Sequence, residues 1–158
     1  MVLLTLRAMA LGGMRDHLGG GFHRYSVDGD WRVPHFEKML YDQAQLTLAY
    51  LAAGQLTGES FYADVAADTL EYVLRDLTDA PGGFYSAEDA DSVPPDQADD
   101  PKPHKSDGAF YIWRVDESGT ALGGDADRFR IRFGLLPHGN PPFAPPAACT
   151  HKTPLHPA

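Results

Sequence analysis

Three consecutive glycines, Gly19–Gly21, followed at once by a run of aromatic and ionisable residues, most constrain what this chain can fold into. Without a Cβ, the backbone there can take positive φ or lie against another segment. The run GGGFHRYSVDGDWRVPHFEKMLYDQAQ, residues 19–45, then brings in Phe22, Tyr25, Trp31 and Phe36. Among them stand His23, Arg24, Asp28, Asp30, Arg32, His35, Glu37, Lys38 and Asp42. These are the residue types that grip a polar ligand or move protons. Burying so many without a role is costly, so a ligand site is expected here.

The rest of the chain reads as helices around that stretch. Leu3, Leu6, Ala10, Met14 and Leu18 follow helical spacing and predict a helix over Val2–His17, weakened by Gly12 and Gly13. No capping residue precedes it, so the domain is expected to lack its true beginning. Asp28-Gly29, between Tyr25 and Trp31, predicts a turn in a loop or short hairpin. Pro34 then suits a helix start, giving a helix from about His35 to Ala53 with His35, Lys38, Asp42 and Gln45 on one side. Lys38 and Asp42 stand at ion-pair spacing on it. A third helix, capped by Ser60 and running to Leu77, buries Tyr62, Val65, Ala66, Thr69, Val73 and Leu77, with Glu71 and Arg75 spaced for an ion pair.

Gly82-Gly83-Phe84-Tyr85-Ser86 echoes Gly20-Gly21-Phe22 with Tyr25-Ser26, and acidic residues follow each copy. A repeated unit of helix, glycine–aromatic loop and acidic cluster suggests stacked helical hairpins. Residues 93–106, rich in Pro and Asp, predict a mobile excursion; residues 108–115 have strand composition, and Glu117–Leu122 and Asp125–Phe133 short helices. The final 22 residues hold seven of the 13 prolines. The reading is therefore one domain over 1–135 and a disordered Pro-rich tail over 136–158.

Charge and cysteine usage exclude several classes. The net charge is −9, and residues 86–127 carry eleven acidic residues against three basic ones. Nucleic acid is an unsuited partner, because it needs a basic face. No run is long and apolar enough for a membrane helix. The apolar start lacks the basic flank of a signal peptide, so a cytoplasmic location is expected. Cys149 is the only cysteine, which rules out an intramolecular disulfide and a Cys-x-x-Cys site in this chain.

The run DHLGGGFHRYSVDGDWRVPHFEKMLYDQAQL, with GGFYSAEDADS and GAFYIW after it, resembles the spermatogenesis-associated protein 20-like proteins, also called thioredoxin domain-containing proteins. The resemblance runs from about Leu3 to Gly134. It implies a piece of an α/α barrel of the six-hairpin type, similar to the barrels of N-acylglucosamine 2-epimerases and glycoside hydrolases, with a short hairpin or strand insertion. In that family a thioredoxin-like domain precedes the barrel; here it and its cysteines are absent. Three long helices stand where the family fold needs twelve, and Pro145-Pro146-Ala147-Ala148-Cys149 replaces the expected continuation.

In such a barrel the loops at one end bind ligand. The resemblance then implies His35, Glu37, Asp42 and Asp89 as the catalytic candidates, with His23, Arg24, Tyr25, Trp31, Lys38, Glu88 and Asp91 around a sugar ligand. Paired carboxylates could act as acid and base in glycoside hydrolysis; a histidine and carboxylate could move a proton for an epimerase. Structural readings stand beside these: a Lys38–Asp42 ion pair, His35 fixing a helix start, and Trp31 in the core. Glu88, Asp89 and Asp91 could offer oxygen ligands to Ca²⁺, but other ligand positions are missing, and no metal or cofactor is expected. Three functions remain: a sugar hydrolase- or epimerase-like domain, an inactive truncated product, or a redox-linked domain served by a thioredoxin-like partner. A second chain completing the barrel is a further expected partner.

Overall fold

The computed structural model describes residues 1–139 and 153–157. It is mainly helical, with short antiparallel strand pairs between the helices. Helix α1, Val2–Leu11, lies on the hairpin of α2, Leu40–Thr57, and α3, Ser60–Asp76. Leu6, Ala10, Met14, Phe22, Tyr50, Tyr62 and Val65 form the main core. Two tyrosines in it bind α1 by its backbone: Tyr50 donates to Leu6 O at 2.6 Å and Tyr62 to Leu3 O at 3.4 Å. Each ring is buried while its hydroxyl keeps a partner, as a buried phenol requires. Among the described residues the helices do not close a barrel.

α1 stops at Leu11, short of the expected His17. Trp31 lies against Gly12 and the Arg32 backbone against Gly13, so closely that a Cβ on either glycine would clash. Gly13 N–H then donates to Trp31 O at 2.6 Å and the chain leaves the helix.

The second correction is larger. Tyr25–Ser26 (β1) pairs with Pro34–His35 (β2), giving the hairpin expected around Asp28-Gly29. Lys38–Met39 (β3) pairs with Ala87–Glu88 (β4) far along the chain. The second helix therefore begins at Leu40 rather than His35, and His35 and Lys38 do not share a helical face with Asp42. No side chain caps α2; Leu40 N–H donates to Ser86 O at 2.9 Å, continuing the β3–β4 ladder into the helix. Long-range pairing has overridden the local period that made His35–Ala53 look continuous. Ser60 opens α3 but makes no side-chain cap bond, the preceding Glu59 taking the cap position. Nor does Arg75 pair with Glu71; its guanidinium bonds Asp76 and Gly19 O.

Beyond α3, Asp91–Ser92 (β5) pairs with Ser106–Asp107 (β6). Only Ile112–Trp113 (β7) of the predicted strand segment is paired, and its partner is Thr153–Pro154 (β8). Helices α4, Val115–Leu122, and α5, Ala126–Phe133, lie where the sequence predicts them. Of the expected disordered tail, residues 136–158, positions 140–152 and 158 lie outside the described residues; Thr153, Pro154 and Leu155 are buried. Cys149 is also outside them. Among the described residues no helix is long and apolar enough to cross a membrane.

Candidate functional site

The sequence candidates fall into three groups. The first is buried and centres on Lys38, whose exposure is 1%. Its Nζ donates to Asp16 Oδ2 at 2.8 Å and to Gly20 O at 3.0 Å. The same ammonium lies 4.3 Å from the Tyr72 ring centroid and 5.0 Å from that of Tyr111, within the range of cation–π attraction. Both phenols reach one carboxylate: Tyr72 donates to Glu88 Oε2 at 2.7 Å, and Tyr111 donates to Oε1. Burial, and then the bond to Glu88, push both phenols well above the usual tyrosine range. Burial works to raise the Asp16 carboxyl, but Lys38 and the N–H groups of Gly19 and Leu18 outweigh it and hold it low.

His23 borders this group at 2% exposure. Its Nδ1 lies 3.1 Å from Phe36 O, and its ring meets Phe36 and Tyr111 edge-on at 5.1 and 4.7 Å. Burial first, then the Lys38 charge, push its pKa down to about 3. His23 is therefore a neutral ring at ordinary pH.

The second group is more open. Arg24 donates to Glu37 Oε2 at 2.8 Å, and Glu37 stands 3.8 Å from His35 Nε2. The other His35 nitrogen lies 3.4 Å from Asp107 Oδ2, and Tyr25 stacks on the ring at 5.1 Å. Asp42, in the first turn of α2, has one buried oxygen with no partner among the described residues. Burial raises its carboxyl, with Arg24 opposing and Glu37 reinforcing the shift. The Lys38–Asp42 ion pair does not form, because Lys38 is on β3 and committed to Asp16.

The third group does little beyond the backbone. Asp89 Oδ1 accepts from Asp91 N–H at 3.1 Å, and both side chains are exposed. Trp31 takes a left-handed backbone, φ 61°, and packs half-buried against the main core. It sits in a loop held by Asp28, whose carboxylate accepts from the N–H groups of Asp30, Arg32 and Val33. No three His, Cys, Asp or Glu side chains among the described residues are placed to hold a metal.

Three members of the buried group were not singled out from the sequence. Asp16 looked like the end of a longer helix and Tyr111 like one residue of a strand. Tyr72 follows Thr69 by three on the buried face of α3, a spacing that could have exposed it.

Two cavities flank the buried group. One, about 570 Å³, is bounded by Lys38, Tyr72, Arg75, Tyr85, Glu88 and Phe110 among others. The other, about 390 Å³, has His23, Phe36, Phe110, Tyr111, Trp113 and Leu155 in its wall. Phe110 and Tyr111 belong to both.

No family model matches the chain. It is similar to spermatogenesis-associated protein 20 of Homo sapiens, 61% identical over 117 residues, and of Mus musculus, 57% identical over the same length. An uncharacterized protein of Caenorhabditis elegans is 44% identical over 125 residues. The two mammalian matches cover 74% of this chain but only 14% of those relatives. The whole buried group lies within the span that the sequence resemblance covers. Over the matched residues, this chain belongs to the spermatogenesis-associated protein 20 family.

Proposed function

We propose that the chain contributes part of the ligand-binding end of a carbohydrate-active α/α-barrel domain, with a sugar or similar polyhydroxylated molecule as its ligand. The observation that carries this reading is the 570 Å³ cavity, where Phe110 and Tyr85 stand 62% and 51% exposed beside Arg75, Asp76 and Glu88. Exposed rings offer flat apolar faces to the C–H side of a sugar, and the charged groups can bond its hydroxyls. Glu88 already accepts from two phenols, so in this reading it holds the wall rigid and leaves acid–base work to others. The remaining candidates, His35 and Glu37, which lie together, and Asp42, whose carboxyl burial raises, are outside the wall of this cavity and in this reading serve a neighbouring part of the cleft. Carboxylates in contrasting environments can divide into acid and base for hydrolysis; the His35–Glu37 pair suits the proton movement of an epimerase.

The test is calorimetric titration of the purified chain with mono- and disaccharides. Saturable binding of at least one sugar is expected, and Phe110→Ala, at an exposed position, should weaken it roughly tenfold. Failure of every sugar to bind would remove the reading.

A second reading, a truncated product without activity of its own, is favoured by one further observation. Tyr41, Ala44, Leu48 and Leu51 form an exposed apolar stripe on α2, and Ala63, Ala67, Leu70 and Leu74 another on α3. Contiguous exposed apolar surface favours association. Under this reading light scattering finds concentration-dependent oligomers and no sugar shifts them.

A further inference from the structure

The smaller cavity differs from the sugar cleft in what it offers a ligand. Its volume, about 390 Å³, falls within the roughly 300–1,000 Å³ of small-molecule sites. Phe36, Phe110, Tyr111, Trp113 and Leu155 make much of its wall apolar. The charged side chains at its edge are already committed. Arg15 donates to Asp68 at 3.1 Å, and Asp16 accepts from Lys38 at 2.8 Å.

Two histidines also line it: His17, partly exposed, with Nε2 2.9 Å from Gly12 O, and His23, which is buried. A carbonyl oxygen can only accept, so the contact of His23 with Phe36 O assigns the ring proton to Nδ1. In the neutral ring Nε2 then carries a lone pair. No hydrogen bond to that nitrogen is present among the described residues, and it is not one of the sealed atoms left without a partner, so in this otherwise buried residue it keeps access to the cavity. A lone pair in such a place asks for a donor. The Lys38 charge and the surrounding apolar groups discourage it from taking a free proton instead.

We infer that this cavity binds a neutral, planar small molecule bearing an O–H or N–H group that donates to His23 Nε2. The apolar wall takes the flat body, the histidine reads the donor, and the absence of an uncommitted charge among the described wall residues selects against ions. The inference is independent of sugar binding in the larger cleft.

Indole and 1-methylindole make the test, since they share a flat body and differ in the N–H. The intact chain, labelled with ¹⁵N at histidine, is titrated with each while the imidazole nitrogen resonances are followed. Indole is expected to bind and move the His23 Nε2 resonance. 1-Methylindole should bind roughly tenfold more weakly, about the worth of one hydrogen bond. In His23→Phe the two should bind alike. Trp113→Ala, which trims the wall and leaves His23 in place, should weaken both equally. Equal affinity of the unaltered chain for the two compounds, no binding of either, or a proton found on Nε2 would each overturn the inference, whether or not the variants fold.

Discussion

The two glycine–aromatic loops begin from nearly the same local sequence and end in opposite environments. Each is closed by one antiparallel bridge, Arg15 to Phe22 in the first and Thr78 to Phe84 in the second. Phe22 is fully buried and stacks on Tyr50 at 5.4 Å; Phe84 is 57% exposed. The first loop is wired to distant elements. Gln43 on α2 accepts from Phe22 N–H at 2.8 Å and donates to Phe22 O at 2.7 Å, as a neighbouring strand would. Lys38 holds Gly20 O, and Arg75 holds Gly19 O. The second loop bonds mostly nearby residues: Asp79 N–H to Gly83 O at 2.8 Å, Tyr85 N–H to Leu77 O at 2.8 Å, and Tyr85 hydroxyl to Asp79 at 3.1 Å; its end alone reaches a distant element, where Ser86 O accepts from Leu40 N–H. A loop motif of this kind supplies shape. Its stability comes from what packs on it.

The largest test of that contrast is truncation of the two phenylalanines. Phe22→Ala should cost about 3–5 kcal/mol, the range for a buried aromatic, whereas Phe84→Ala should stay within about 0.5 kcal/mol. Urea denaturation of both variants reads the difference, and equal costs would break the comparison. Next come the glycines. Gly21 has φ 73°, and a Cβ there would run into the Tyr72 ring; one on Gly83 would meet open space. Gly21→Ala should lose about 2–3 kcal/mol from backbone strain and overpacking. Gly83→Ala should be neutral or slightly stabilising through the unfolded chain.

The smallest effect is set by pH. His23 titrates at about 3 when folded and near its ordinary 6.5 when unfolded. Below 6.5 the unfolded chain takes the proton and the folded one refuses it, so stability falls as pH drops from about 6.5 toward 3. The loss is about 1 kcal/mol at pH ~5.5. Asp16, held low in the fold, adds a loss at the acid end. Hydrogen exchange at pH ~5.5 should find the amide of Phe22 less protected than at pH ~7, an effect absent in His23→Phe; an unchanged Phe22 amide would count against the buried neutral ring.

How much of this was legible in the sequence follows the reach of each interaction. Helices α3, α4 and α5 depend on local spacing, and the sequence places them well. The hairpin at Asp28-Gly29 was legible for the same reason. The start of α2 was not, because Lys38–Met39 pairs with residues nearly fifty positions away, and no window around Pro34 carries that. The site divides likewise. The density of polar groups in residues 19–45 marked the region, but the assignment of Lys38 to Asp16 rather than Asp42 depends on a strand pairing. Tyr72 and Tyr111 come to Glu88 from two other elements. Trp31, open in the sequence to both a ligand contact and a place in the core, packs half-buried against the core, in a loop that Asp28 turns.

The junction of β3 with α2 bears on the order of folding. α2 has no cap of its own, and its first N–H is satisfied by Ser86. Closing a loop of that length carries an entropy cost that must be met before the contact rewards it. As the chain is synthesised from its N-terminus, the middle of α2 can coil against α3 while its first turn waits for the second glycine loop to arrive. The exposed loop thus closes the start of α2, and the buried group around Lys38 becomes complete only when Glu88 and then Tyr111 have joined it.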